Sequence, residues 1–182
     1  MVVTTCDIPG LLILEPKIFE DSRGFFLESF NETKFQEIVG EKISFCQDNE
    51  SLSKKNVLRG LHFQSPPFDQ GKLVRVISGR VMDVVVDIRT SSPYYGKYQM
   101  IELSSENKKQ FWIPPGFAHG FLTLEENTIF NYKCTNYYSP VSEKTIKWND
   151  KDLKINWSND APIVSEKDKV GLEFANFVSE FD

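Results

Sequence analysis

Three short segments of this 182-residue chain set reactive side chains among apolar neighbours. The chain has only two histidines, His62 and His119. His62 lies in Arg59-Gly-Leu-His62-Phe-Gln64, and His119 in Ile113-Pro-Pro-Gly116-Phe-Ala-His119-Gly-Phe121. The third segment, Gln70-Gly-Lys72-Leu-Val-Arg75, puts a lysine at the entry of a β-rich run. An imidazole suits proton transfer near neutrality, because its ordinary pKa is about 6.5. A buried ammonium suits an oxygen that gains negative charge. Each segment also has a plainer reading. Either histidine could be a core group bonded to a carbonyl, and Lys72 could be a solvated edge charge. Two histidines are too few for a three-histidine metal site.

The elements that must position these residues read as mostly β. Leu11 to Leu14 and Gly24 to Phe30 look like strands. Asn31 is placed to cap a helix over Glu32 to Val39, with Gly40 beyond its end. Asn49 to Asn56 is polar and reads as a loop. Lys72 to Ile77, Ser78-Gly79 and Arg80 to Ile88 read as a hairpin, two β-rich runs around a turn dipeptide. Gln99 to Leu103, Gln110 to Ile113, Phe121 to Leu124, Thr128 to Thr135 and Thr145 to Trp148 add short strands. Their spacing of roughly ten residues predicts a sandwich or barrel. Strict alternation along Arg59 to Gln64 would send His62 to one face with Gly60 and Gln64, and Arg59 to the other. Only the tail has helical spacing, with Phe174, Phe177, Val178 and Phe181 on one face.

Composition narrows the classes. The chain is 40% hydrophobic and 26% charged, ordinary for a globular protein, and nothing marks a domain boundary within residues 1–182. The net charge of −5 argues against nonspecific nucleic-acid binding. No apolar run is long enough to span a membrane, and the first residues lack the basic and apolar regions of a signal peptide. Three scattered cysteines make no disulfide framework, which favours a reducing, cytoplasmic setting. There is no GxGxxG, P-loop, GxSxG or HExxH pattern, so phosphate groups would have to be held by side chains such as Arg23, Arg59, Lys72 and Lys167.

Taken together, the segments resemble the dTDP-4-dehydrorhamnose 3,5-epimerase family. The resemblance rests on Phe19-Glu-Asp-Ser-Arg23-Gly-Phe-Phe26-x-Glu28, Gln47-Asp-Asn49, the three segments above, Asp83 to Arg89, Tyr132-Lys-x-Thr-Asn-Tyr-Tyr138, Ile146-x-Trp-Asn-Asp150 and Pro162-Ile-x-Ser-Glu-Lys167-Asp168. These run in order along nearly the whole chain. The departures are small: Tyr98 lies where the family often has a nearby Trp, and Pro115 where many members have another residue.

The resemblance implies an all-β jelly-roll barrel of the cupin type with short flanking helices, usually a homodimer, with no metal and no cofactor. It implies a substrate that is a dTDP-linked 4-keto-6-deoxyhexose. His62 would be the base, Asp168 its partner, Tyr132 the acid on the far face, and Lys72 the group that stabilises the enolate. Arg23 and Arg59 would take the diphosphate, Gln47 and Asn49 the base or sugar, and Tyr138 would stack on thymine. His119 would lie beside the sugar, and Glu28, Glu143 and Lys167 match binding positions. Phe19 and Phe26 would reach across a dimer to the partner's ligand. Three rivals remain open at this point. One is a metal-dependent cupin, although His62 is followed by Phe63-Gln64 rather than by a second histidine. The others are a non-catalytic sugar-nucleotide binder and a mono-epimerase.

Overall fold

The computed structural model describes residues 1–182. In chain order the elements are β1 (Val2–Thr5), β2 (Leu12–Glu15), β3 (Ile18–Asp21), β4 (Gly24–Leu27), α1 (Glu32–Val39), β5 (Gln47–Ser53), β6 (Leu58–Gln64), β7 (Lys72–Ser78), β8 (Arg80–Asp87), β9 (Tyr98–Ser104), β10 (Gln110–Ile113), β11 (Phe117–Thr123), β12 (Thr128–Cys134), β13 (Glu143–Thr145) and α2 (Glu166–Lys169). A 3₁₀ turn covers Phe174–Asn176. Six strands form one sheet in the order β1-β2-β10-β7-β12-β5, and five form another in the order β13-β6-β11-β8-β9. All these pairings are antiparallel. The strands β3 and β4 make a separate hairpin. This is the all-β jelly-roll barrel of the cupin type.

Apolar side chains from both sheets fill one end of the interior, among them Val74, Val76, Val85, Phe111, Phe121 and Phe130. The outer face of the five-stranded sheet is buried as well. Leu61, Phe63, Val84, Val86 and Leu122 pack there against Leu153, Trp157 and Phe177 of the C-terminal segment. Both faces of β8 are therefore covered, which explains its unbroken run Val84-Val85-Val86. α1 covers part of the six-stranded sheet by placing Phe35 edge-on to Trp112, 5.1 Å between ring centres. The helix begins and ends as predicted. The Asn31 side chain accepts from Lys34 N, and Gly40 closes the end in the left-handed conformation.

Four sequence expectations need correction. β7 and β8 follow each other around Gly79 but do not pair as a hairpin. β7 lies between β10 and β12, and β8 between β9 and β11, so the turn is a corner between the two sheets. The same local signal serves either geometry, because the pairing is decided by distant strands. Asn49 to Asn56 is not a loop: β5 runs to Ser53 and pairs with β12 along its length. The tail is not one continuous helix: only the 3₁₀ turn at Phe174–Asn176 is helical. Phe177 and Phe181 pack on Phe63 at 5.3 and 6.2 Å between ring centres, from a largely extended segment that leaves Val178 exposed. Finally, the strand expected from Phe121 starts at Phe117, so His119 sits inside β11.

Candidate active site

β6 departs from strict alternation at the point where the site is built. His62 pairs with His119, but Arg59 pairs with Phe121, so β6 carries one more residue than β11 between these pairs. Such a bulge re-aims the flanking side chains. Arg59 and His62 consequently both line the same cavity, where a regular strand would have sent Arg59 to the opposite face. Glycine makes the bulge possible. Gly60 has φ +136°, and a Cβ there would lie 2.5 Å from the Cα of Gly120.

The cavity holds about 490 Å³ and is lined by Arg59, His62, Lys72, His119, Tyr132, Lys167 and Asp168, with Phe121 and Phe130 at its apolar wall. A smaller recess of about 100 Å³ shares His62, Lys72 and Tyr132, and adds Gln47, Asn49, Tyr138 and Glu143. Eleven of the fifteen predicted site residues thus meet within one chain. His62 and His119 project from the five-stranded sheet, and Lys72 and Tyr132 from the six-stranded sheet. The two pairs form opposing walls of one space.

Asp168 reaches His62 although 106 residues separate them. Its segment is pinned by parallel bridges, Ile163 to Val57 on one side and Leu172 to Ile146 on the other. Between these, Ser165 caps α2 by accepting from Asp168 N, which fixes the first turn. The Asp168 carboxylate then meets His62 Nε2 at 2.6 Å, with Asp168 2% exposed. Burial alone would raise the Asp168 carboxyl. The bonds to His62, to the Ser165 hydroxyl and to the backbone of Gly60 outweigh it and hold the group below the ordinary carboxylate value. An ionised Asp168 keeps the proton on Nε2 and leaves the His62 Nδ1 lone pair free.

His119 has a matching partner that sequence reasoning missed. Its Nε2 meets Asp83 Oδ2 at 2.9 Å, and Asp83 is fully buried. A signal was available, since a carboxylate inside Arg80-Val-Met-Asp83-Val-Val-Val needs a partner if that run is core. Burial lowers the His119 pKa, and the nearby Lys72 and His62 lower it further, against the favourable pull of Asp83. Together these favour the neutral imidazole at His119.

Lys72 is pushed below the ordinary lysine value by burial, opposed by Cys134, Asp83 and Glu143. Cys134 is raised to about 11, mainly by burial, and stays a thiol. Tyr132 is raised above 10, first by burial, so its phenol keeps its proton. At the mouth, the Tyr138 hydroxyl donates to Glu143 Oε2 at 2.8 Å, and Lys167 forms an ion pair with the same carboxylate. No group of three or more His, Cys, Asp and Glu side chains is arranged to hold a metal ion.

Four predicted residues lie elsewhere. Phe19, Arg23 and Phe26 line a surface cleft on the β3–β4 hairpin, where Phe19 is 52% and Phe26 68% exposed. Arg23 is paired with Asp21 at 2.6 Å. Glu28 is held by Lys34 and Asn31. Three of the four cations expected to converge, Arg59, Lys72 and Lys167, do so; Arg23 does not.

Comparison with known proteins bears on the whole chain. Residues 5–176 match the family described as dTDP-4-dehydrorhamnose 3,5-epimerase. The enzyme of that name from Salmonella typhimurium is 57% identical over 169 residues, covering 92% of each chain. Among solved structures, the dTDP-6-deoxy-D-glucose-3,5-epimerase from Legionella pneumophila, in complex with dTDP-4-keto-L-rhamnose, superposes with a TM-score of 0.90 at 49% identity, covering 93% of this chain and 90% of that one. The dTDP-4-dehydrorhamnose 3,5-epimerase from Elizabethkingia anophelis gives 0.92 at 47% identity, covering 96% and 97%. The chain belongs to the dTDP-4-dehydrorhamnose 3,5-epimerase family.

Proposed function

We propose that this chain converts dTDP-4-dehydro-6-deoxy-D-glucose to dTDP-4-dehydro-L-rhamnose by inverting C3 and C5, in dTDP-L-rhamnose synthesis. The carrying observation is the pair of opposed walls: an Asp-held imidazole on one sheet faces a protonated phenol on the other. Inversion needs that arrangement, because a proton leaves one face of a carbon and another arrives on the opposite face.

The C4 ketone acidifies the hydrogens on both neighbouring carbons. His62 Nδ1 takes the proton, and Asp168 stabilises the imidazolium that forms. The electrons move onto the C4 oxygen, where the Lys72 ammonium holds the charge. Tyr132 returns a proton from the far wall and re-forms the ketone. Arg59 and Lys167 receive the diphosphate, Tyr138 stacks on the thymine ring, Gln47 and Asn49 bond the base or sugar, and His119 borders the sugar. Residues 1–182 act as one cytoplasmic domain that works as a homodimer. The exposed Phe19, Arg23, Phe26 and Glu28 then serve the partner's ligand, a reading supported by their distance from their own cavity. The three unpaired cysteines fit a reducing compartment.

Incubation with dTDP-4-keto-6-deoxyglucose and a coupled 4-ketoreductase tests this reading. In deuterated water the product should carry deuterium at both C3 and C5. Label at one carbon alone replaces it with mono-epimerisation, and binding without turnover replaces it with a binding module.

A further inference from the structure

Tyr138 combines two properties that rarely meet. The residue is exposed (54%), yet the backbone around it is clamped by side-chain amides. Gln64, at the end of β6 and only 4% exposed, makes the clamp. Its Nε2 donates to the carbonyl of Tyr137 at 3.1 Å and to that of Phe68, and its Oε1 accepts from Ser139 N at 2.7 Å. The Tyr138 N–H itself donates to Gln47 Oε1 at 2.9 Å. The residues before, at and after position 138 are thus each held by a side-chain amide. Two further amides tie the flanking loops together: Gln70 donates to Asn136 O at 2.8 Å, and Asn136 to Pro67 O at 3.2 Å. The hydroxyl is fixed by Glu143, which leaves the ring face as the free part of the residue.

We infer that Gln64 is a positioning residue that holds Tyr138 as a preformed platform for the flat base of the nucleotide, acting with the Gln47 carbonyl. The inference rests on the proposed function for the identity of the base. A stacking side chain on a mobile loop would lose conformational freedom on binding and weaken the complex. Here that freedom is already lost in the free protein. Gln64 touches none of the reacting atoms, so its contribution falls on binding rather than on proton transfer. Gln47 uses its Oε1 on the Tyr138 backbone and its Nε2 on Asn49, so it supports the platform while its second N–H stays free for the base or sugar.

Gln64→Met tests this, since it keeps length and volume while removing all three bonds. With dTDP as the calorimetric probe, Kd should rise about tenfold, a share of the affinity a base–aromatic stack provides. KM for the 4-keto sugar should follow, with kcat within about twofold. In a Tyr138→Ala background, where the platform is gone, the same substitution should change Kd less than about twofold. Wild-type binding in Gln64→Met, a proportionate fall in kcat, or multiplying penalties in the double variant would each overturn the inference. Amide exchange in the wild-type protein gives a test that needs no variant: Ser139 N–H should be protected, and fast exchange there overturns the clamp. If the wild-type protein binds no dTDP, the proposed function fails. If it binds and the variants do not behave as stated, only the inference fails.

Discussion

Asp168→Asn removes one negative charge from the centre of the proposed mechanism and changes little else. The segment that carries it is held by the Ser165 cap on the Asp168 backbone and by the bridges at Ile163 and Leu172, none of which depends on the carboxylate charge. What is lost is the anion 2.6 Å from His62 Nε2, in a pair whose side chains are 28% and 3% exposed. When His62 accepts the substrate proton, the imidazolium and the carboxylate become an ion pair. With about 4 Å between the centres of charge and an effective dielectric constant of about 20, the attraction is about 4 kcal/mol. An amide retains only a small part of this, so kcat should fall about a thousandfold. The amide can also present its NH₂ to Nε2, which moves the imidazole proton to Nδ1 and blocks the lone pair that acts as base. The same replacement behind the serine-protease histidine costs about 10⁴, so the two effects together set a range of about 10³ to 10⁴. The assay is the coupled ketoreductase rate, with deuterium exchange at C3 and C5 followed by NMR. A melting temperature near wild type shows that the fold persists. A variant folded and within tenfold of wild type in both assays would refute the dyad.

Three other perturbations test separate parts of the structure. Tyr132→Phe removes the far-wall proton donor, so solvent deuterium should still enter the substrate while inverted product falls by at least a hundredfold; equal losses in exchange and inversion would remove Tyr132 from the acid role. Lys72→Met should lower kcat about 10²- to 10³-fold, by analogy with loss of an oxyanion donor. Wild-type activity should also decline at alkaline pH before the ordinary lysine value of about 10.4, because burial depresses Lys72, and a variant that keeps wild-type kcat would exclude Lys72 from charge stabilisation. Stability should depend on pH in two stages. His119 titrates lower when folded, so the unfolded chain binds more protons and stability declines as pH falls below about 6.5. Asp87, Glu143 and Asp168 are also depressed, so their contribution is complete above about pH 5 and is lost as pH falls through their folded values. Urea midpoints measured from pH 8 to pH 3 check both stages, and a flat profile would contradict them.

The parts of the fold legible in the sequence were those set by local chemistry. Asn31 and Gly40 bounded α1 because a cap and a left-handed terminus need only their own neighbours. The polar run at Gln47 hid a strand because neither face of β5 is apolar: Gln47 and Asn49 line the recess, and Asp48 and Glu50 are exposed. The corner at Gly79 resembled a hairpin because turn residues report a reversal and not its pairing partners. The bulge that turns Arg59 toward His62 depends on the close approach of Gly60 and Gly120, and such an approach has no local pattern. The candidate site became visible through an ordered resemblance rather than through spacing, since His62 and Asp168 meet only after the intervening strands are laid down. Phe19, Arg23, Phe26 and Glu28 matched the same pattern, yet within one chain they stand apart from the cavity.

The two histidines remain the most instructive comparison, because the local chemistry at each is the same. Both bond an aspartate through Nε2, and they face each other across β6 and β11. They differ in what a proton would meet. The His119 side chain is 8% exposed and its aspartate is sealed; burial, Lys72 and His62 all oppose a positive charge there. The His62 side chain is 28% exposed and opens onto both the large cavity and the recess. A base must accept charge at the moment of reaction, and burial together with the neighbouring Lys72 makes the His119 site a poor place for it. The outer histidine is therefore the one suited to take the proton. The inner one is biased toward the neutral form, in which Nε2–H bonds Asp83 and Nδ1 accepts. In that form it can order a hydroxyl or an ammonium beside the sugar and has no N–H left for the developing oxyanion. In the proposed mechanism, stabilising that oxygen then falls to Lys72, a buried cation of the same cavity.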